Sequence, residues 1–568
     1  MADLPQATVQ IDDEAGALAG GTDVLTVLAC VEQNADIVPR VFASAKALLA
    51  KHGYSAGVDY CALHFEETKK PVIFVGLPKA TAGAIGTLDP SGNTGTSIVT
   101  VAAAASGVLE EANGVVTIAS GGTVGTDQIL LDLSMDGGKT TKRVRLGTEA
   151  AYTVPYFGIV LNFAAGTLVT GDVVLRFATT APRWDQAGIA AARLALAGQQ
   201  KASRSWLVIG DLEEEDDATD LLTAINAYAT VNDRCSLVRA QVRDLTARVQ
   251  MTGTPTLTFA EVGATGDTIT RSAGSWITDG FTAGMVITVA GTTLNEVSGP
   301  ISSLTGTVLT MGATDLAAEG PVSGAMVSGP APLDSDWVAD IDAEFGDIDG
   351  ERRIDLGAGR GYKLSPITGW RLLRPVQWAA SLREYQHDVQ IPVWRKSDGP
   401  CSGWSLEDDD GNTVAHDERV DGGLLLARFT CFRSYANGPQ GAYIALSLTR
   451  AAENSLLSRT HNMAVANIAC NVCQAETENA IGLVLELNTN GTGTEASLTL
   501  LEERVNSALA MALLQRKLEG PRASDAKWKA SRTDILNVPG AELTGTLDLR
   551  LNGTIEKIST RVRVQTAG

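Results

Sequence analysis

At 568 residues the chain has room for roughly three or four domains, and 44% hydrophobic with 20% charged residues is the balance of a globular protein with sizeable cores. A formal net charge of −21, with no Lys/Arg-rich stripe to offset it, argues against a nucleic-acid backbone as partner. Fifty-eight glycines against 5% aromatics bias the chain toward Gly-turn, Ala/Val/Leu/Thr architecture.

The opening stretch, MADLPQATVQIDDEAG, has neither a basic n-region nor an apolar h-region, so no secretory signal is expected. No apolar run reaches the roughly eighteen residues of a membrane span. Synthesis in a reducing cytoplasm is the expectation, with free thiols as the default state of the seven cysteines. An odd count leaves at least one thiol unpaired in the chain or paired with another chain.

Thr8, Val9, Gln10 and Ile11 read as a short strand, followed by an acidic, Gly-rich break from Asp12 to Gly21. The apolar run VLTVLACV, ending at Val31, has strand length and predicts burial on both faces. Val38 to His52 has helical periodicity through Val41, Ala45, Leu48 and Leu49, and stops at Gly53; Val72 to Val75 is another buried-type strand. From Thr81 to Pro182 the texture is Gly/Thr/Ala/Val-rich and all-β. Gln128–Leu133 and Lys142–Leu146 flank the turn Met135-Asp136-Gly137-Gly138-Lys139, and Ile159–Phe163 and Val173–Phe177 flank a second Gly-bearing turn. A helix at Gln186–Gln200, a strand at Leu207–Ile209, a helix at Thr219–Thr230 and a strand at Leu237–Val242 restore βαβ texture, the natural partner of the first eighty residues. A second β stretch runs from Val249 to Pro330, and mixed α/β follows from Asp334, with long helices expected at Ala451–Asn479 and Glu495–Leu518.

The fold class this predicts is α/β (α+β): a discontinuous core of residues 23–79, 183–248 and 331–536, interrupted by inserted all-β domains at 80–182 and 249–330. Residues 1–22 form an N-terminal strand arm and linker, and 537–568 a C-terminal linker and arm. In the latter, Leu547, Leu549 and Leu551 alternate with Asp548 and Arg550, and Asn552-Gly553 supplies a tight turn. Ile555 and Ile558 then slip out of phase before Val562 and Val564 resume the alternation, so a bulge is expected near Lys557–Ser559. A two-stranded hairpin is marginal alone and must dock, either on its own domain or on another copy.

Chemistry is sparse. Gly357-x-Gly359-x-Gly361 lacks dinucleotide-loop spacing and reads as a turn. Cys470-x-x-Cys473 with His461 offers three ligand types, but no second pair has ligand spacing, so core cysteines are the better reading. Asp408–Asn412 has a calcium-loop look, yet with Gly411 as sixth residue the frame begins at Leu406 and ends at Asp417, which fits an acidic turn better. His52, His64, His387, His416 and His461 accompany no nucleophile motif, and Glu213–Asp217 reads as a solvated helix start. No catalytic residue, cofactor site or metal site is expected.

Several stretches in this order resemble the contractile tail sheath family of bacteriophages and related injection machines. They are the strand arm Thr8–Ile11, the run Val24–Val31, and the segment from Ile37 to Gly53. Leu207 to Val238, the region from Asp336, and Gly441 to Ala469 continue the series, which the terminal strands close. The chain departs from better-known sheaths in carrying Ser447-Leu448-Thr449-Arg450 before the long helix, and its two Gly-rich inserts have no fixed counterpart. The resemblance implies a structural virion subunit, made in the host bacterial cytoplasm, that polymerises as helically stacked hexameric rings around a tail tube protein. Contraction would drive the tube through the host envelope, with baseplate and tail terminator proteins as further partners. Neither nucleic acid nor direct membrane insertion is implied. It also implies intersubunit strand exchange through Thr8, Val9, Gln10, Ile11, Leu547, Leu549, Leu551, Ile555, Ile558, Val562 and Val564, with hinge linkers at Gly20, Gly21, Pro539 and Gly540. The rival reading is a phage surface adhesin or decoration protein carrying β modules. Cys401, in the polar turn Ser397–Gly403, is the expected exposed thiol and a candidate for an intersubunit disulfide, whereas Cys30 is expected to be an inert core thiol.

Overall fold

A strand that is apolar throughout must be covered on both faces, and Leu25–Val31 (β1) sits inside a sheet that does this. The computed structural model describes residues 24–551 apart from 33, 87, 91, 200–202, 233, 245–248, 250, 252–254, 263–265, 313–314, 330–333, 408–422, 436–438, 453, 515–523 and 539–540. After β1 come Asp36–Phe42 (β2), Ala45–His52 (α1), Ala56–Thr68 (α2) and Val72–Pro78 (β3). Gln186–Ala197 (α3), Ser205–Leu212 (β4), Glu215–Thr230 (α4), Leu237–Val242 (β5), Asp334–Glu344 (α5) and Ile354–Gly357 (β6) continue the layer. Arg360–Leu364 (β7) and Arg371–Pro375 (β8) then pair and lead into Val376–Gln386 (α6).

The six-stranded sheet runs β2-β3-β1-β4-β5-β6, parallel at every step except β2–β3. Alternation splits each strand between two cores. Leu25, Val27, Ala29 and Val31 with Leu207 and Ile209 meet α1, α2 and α6; Leu28 with Trp206 and Val208 meets α3, α4 and α5. Buried charge in the second half of this sheet is matched. Arg239 of β5 bonds both Glu384 of α6 (2.9 Å) and Asp355 of β6, and Arg204 bonds Glu384 at 2.9 Å. Thr430, Gln377 and Ser447 donate to the Asp355 carboxylate at 2.6, 2.9 and 3.0 Å, so no lone charge is buried there.

The mixed α/β class holds, with local corrections. Val38–His52 is not one helix: residues 36–42 are an antiparallel edge strand, and the helix begins only after Ser44, whose hydroxyl accepts from Ala47 N–H at 3.4 Å. Pro39 explains this, since it has no N–H to give a helix and is tolerated at a sheet edge. Ile159–Phe163 and the strand Val173–Thr180 do not pair with each other. The first lies between Val99–Ala103 and Ala151–Val154, the second beside Ala112–Ser120. The hairpin around Met135–Lys139 forms as expected, Ile129–Ser134 against Lys142–Gly147. The Gly357–Gly361 stretch is the tight passage from β6 to β7, with Gly359 at φ +86°.

Residues 84–180 enclose a core of Val116, Leu131, Leu161 and Phe177 that also takes in Trp370 and Leu372 from around β8. Two arginines lock the same junction. Arg374 of β8 bonds Glu110 at 2.8 Å and Asp59 of α2 at 2.5 Å, and Arg360 of β7 bonds Glu111 at 2.9 Å and also Asp211 of β4. Residues 257–328 form a seven-stranded antiparallel sheet around Trp276, Phe281, Ile287 and Leu309, a core drawn wholly from residues 249–327.

Candidate functional site

After the sheet layers the chain folds Thr460–Glu478 (α7), Glu495–Leu514 (α8), Ser524–Ala530 (β9) and Gly545–Leu551 (β10) into one small unit. α7 lies inside its expected span, starting at Thr460 rather than Ala451 because Leu456–Ser458 forms a separate 3₁₀ turn, and α8 begins at the expected Glu495. The two strands pair antiparallel from Ser524↔Leu551 to Ala530↔Gly545. Alternation lays one face on the helices. Trp528 and Ala530 with Leu547 and Leu549 meet Leu501, Val505 and Leu509 of α8, and Leu549 and Leu551 reach Val465 and Ile468 of α7. Lys527, Lys529, Thr546 and Asp548 are exposed on the other face. Gly545 is required by contact, since a Cβ there would stand 2.4 Å from the Trp528 ring.

The two edges of this sheet differ. On β9, Asn506 of α8 accepts from Trp528 N–H at 2.7 Å and donates to Trp528 C=O at 3.0 Å. One turn earlier, Glu502 accepts from Ala530 N–H at 2.8 Å while pairing with Arg532. These bonds fix the phase: Trp528 and Ala530 turn their backbone groups away from β10, so their opposites Leu547 and Gly545 turn theirs away from β9. Leu549 and Leu551 follow by the two-residue repeat. The outer edge of β10 therefore presents the N–H and C=O groups of Leu547, Leu549 and Leu551, and among the described residues no strand pairs with it. The side chains of the same leucines are held inward, so the edge offers backbone only.

The strand-exchange residues Thr8, Val9, Gln10, Ile11, Ile555, Ile558, Val562 and Val564, and the hinge residues Gly20, Gly21, Pro539 and Gly540, lie outside the described residues. So does the run after Asn552-Gly553 expected to partner Leu547–Leu551; within the described chain that strand pairs with β9. The strand β9 was not legible, because Lys527 and Lys529 dilute a short pattern whose apolar half is two alanines and a tryptophan. Nothing in the sequence signals the edge caps Asn506 and Glu502.

Close to this unit, the connection from α7 to α8 exposes Ile481, Leu483, Val484 and Leu487, with Leu500 of α8 beside them, Val484 almost completely. Leu483, Val484 and Leu500 help line a groove of about 500 Å³ along α8.

The thiol expectation is corrected. Cys401 is buried in the core beneath α6, its backbone N–H bonded to Ala442 C=O at 2.7 Å and its sulfur accepting from Arg383 at 3.5 Å; burial pushes the thiol up. A polar turn sequence fixed the backbone at the surface and said nothing of where the cysteine side chain turns. No disulfide is present among the described residues, and Cys470 of α7 is the exposed cysteine. Cys30 is buried and its thiol is pushed up to about 12 by burial. His461 is buried with its ring 5.0 Å from that of Trp394, and the described residues contain no cluster of three metal-ligating side chains. The Asp408–Asn412 stretch lies outside the described residues. No helix among the described residues is long and apolar enough to cross a membrane.

No family model and no curated protein matches the chain. Among solved structures it is similar to the sheath tail protein of Desulfitobacterium hafniense, at TM-score 0.39 and 9% identity over 96% of this chain and 100% of that one. It is likewise similar to the sheath tail protein of Listeria innocua, at TM-score 0.38 and 10% identity over 93% and 95% of the two chains. A third likeness, to a chain in the cryo-EM structure of the anti-feeding prophage baseplate, spans 39% of this chain and 57% of that one at TM-score 0.28 and 8% identity.

Proposed function

We propose that this chain is the structural subunit of a contractile phage tail sheath, polymerising in helically stacked hexameric rings around a tail tube and contracting to drive it through the host envelope. The observation that carries the reading is the asymmetry of the β9–β10 sheet: one edge closed by Asn506 and Glu502, the other, along Leu547, Leu549 and Leu551, paired by no strand among the described residues. An open backbone edge on a packed platform is the acceptor that strand addition needs. The donors are the alternating terminal runs of neighbouring copies, Thr8–Ile11 and Ile555–Val564, joined through Gly20-Gly21 and Pro539-Gly540. Ladder bonds of this kind survive rotation of the bodies they join, which is what a contracting polymer requires. The apolar connection around Val484 is a second surface for a neighbouring copy to cover.

In this reading the discontinuous core of residues 23–79, 183–248 and 331–536 carries two β domains inserted at 80–182 and 249–330, both on the outside of the particle, and the protein is structural rather than catalytic. The sequence resemblance supports it through the order of the elements. The deciding experiment removes residues 552–568 and leaves β10 in place, because Leu547 and Leu549 cover apolar surface of α7 and α8. The truncated protein is expected to fold and to lose the long hollow cylinders that the full chain forms in negative-stain micrographs. Cylinders of full length from the truncated chain end the strand-exchange proposal, and compact trimers from the full chain favour the adhesin instead.

A further inference from the structure

Two of the remaining cysteines sit together at the surface. Cys235 lies in the loop that enters β5, and its backbone is held by one side chain of α7: Asn471 accepts from Cys235 N–H at 2.8 Å and donates to Cys235 C=O at 2.7 Å. The residue before Asn471 is Cys470, which is exposed, and its thiol lies beside that of Cys235. The neighbouring Cys470 thiol, with the cations Arg353 and Arg352 assisting, lowers Cys235 to about 6, while Cys235 raises Cys470. Of the two, Cys235 is the thiol that more readily gives up its proton. The other described cysteines differ: Cys30, Cys61, Cys401 and Cys431 are buried, and Cys473 is half-buried against α8.

We propose that Cys235 and Cys470 are an oxidative modification site that closes into a reversible intrachain disulfide, tying α7 to the loop entering β5. The oxidant is a low-molecular-weight disulfide. The Cys235 thiolate attacks one sulfur of it, forming a mixed disulfide and releasing one small thiolate. Cys470 then attacks the Cys235 sulfur, its proton passing to the second small thiolate as that group leaves. Two protein thiols are oxidised and one small disulfide is reduced to two thiols. The bridge spans the unit that carries the open β10 edge and the parallel sheet, so oxidation fixes the two relative to each other. The pairing is independent of the sheath reading.

The test is incubation of the full-length protein with oxidised glutathione at pH 7, followed by alkylation of remaining thiols and non-reducing peptide mass spectrometry. The expected result is loss of two of the seven thiols, one cross-linked peptide pair containing Cys235 and Cys470, and reversal by reductant. Cys470→Ala should stop at a glutathione adduct on Cys235, Cys235→Ser should give neither product, and Cys473→Ser should behave as the parent. Alkylation of Cys235 in the parent should be half-maximal near pH 6 and shift to higher pH in Cys470→Ala. A bridge that uses Cys473, intermolecular dimers, or a stable adduct on Cys235 of the parent would each overturn the proposal.

Discussion

Asn506 is the residue whose loss best tests the edge argument. Its amide satisfies both backbone groups of Trp528, itself 5% exposed, so Asn506→Ala leaves a shielded donor and a shielded acceptor without partners. Leaving such groups unmade costs about 1–3 kcal/mol. With two groups left unmade and alanine's better helix propensity returning roughly 0.5 kcal/mol, the net loss is about 1.5–5.5 kcal/mol. α8 still covers that edge and Glu502 still caps Ala530, so the change should weaken the sheet without opening β9 to another strand, and light scattering should stay at the parent's level. Urea unfolding of the unassembled protein, with light scattering in parallel, reads both effects. Glu502→Gln should be milder, since it keeps an acceptor for Ala530 N–H and gives up only the pairing with Arg532, whose guanidinium is part-exposed. An Asn506→Ala protein within about 0.5 kcal/mol of the parent would refute the closed-edge reasoning.

Replacing residues 249–330 by a short flexible linker should leave a cooperative unfolding transition, because that core is built only from residues 249–327. The matching excision of 81–182 should fail to give folded protein, since it exposes Trp370 and Leu372 and strips Glu110 from the buried Arg374; calorimetry of the two deletions decides whether they differ. Burial pushes the Asp211 carboxyl up to about 7 against the opposing pull of Arg360. The folded state then holds a proton that the unfolded chain has released, so wild-type stability should fall relative to Asp211→Asn as pH rises from about 4 to 7 and level off above; urea midpoints of both proteins at pH 5 and 8 that move the opposite way would contradict this. Val484→Asp should leave the unfolding midpoint unchanged, because the side chain is almost fully exposed, and should lower the yield of cylinders in micrographs.

The α/β layer was legible because its signals are redundant. VLTVLACV can only be covered on both sides, and the acidic start of α4 with Leu221, Leu222 and Ile225 on one face marks a helix twice over. Strand pairing inside residues 84–180 was not legible. Two neighbouring strands with a glycine between them satisfy the hairpin rule, yet Ile159–Phe163 and Val173–Thr180 each find long-range partners whose choice depends on packing. Pro39 carried the missed information at β2, where helical spacing of Val41, Ala45 and Leu48 outweighed it. At the candidate site the sequence marks β10 through its three leucines, whereas its neighbour and its edge caps depend on one asparagine and one glutamate of α8. Those are ordinary surface residues until the fold brings β9 against them. Cys401 failed for a related reason: local polarity locates a loop, while the direction of one side chain is a property of the core behind it.

The open edge of β10 gains meaning from how the other edges are treated. The six-stranded sheet ends on one side at β2, where Pro39 removes a donor, and on the other at β6, whose outer groups are taken up by passing chain. Thr430 N–H bonds Leu356 C=O at 2.8 Å, Ala358 N–H bonds Thr430 C=O at 2.9 Å, and Arg450 N–H bonds Ile354 C=O at 3.1 Å. β9 is closed by two helix side chains. Among the described residues these edges are covered and the outer edge of β10 is not; with its leucine side chains committed inward, that edge is a strand acceptor that has backbone to offer and little side-chain selectivity. Such an acceptor takes its specificity from whatever is delivered to it. A donor tethered to an identical subunit supplies that by effective concentration, without any recognition pocket. In the proposed polymer the occupant would therefore be a tethered strand of a neighbouring copy rather than a diffusing partner, and a closed ring or helix of copies would be the state in which every such edge is satisfied.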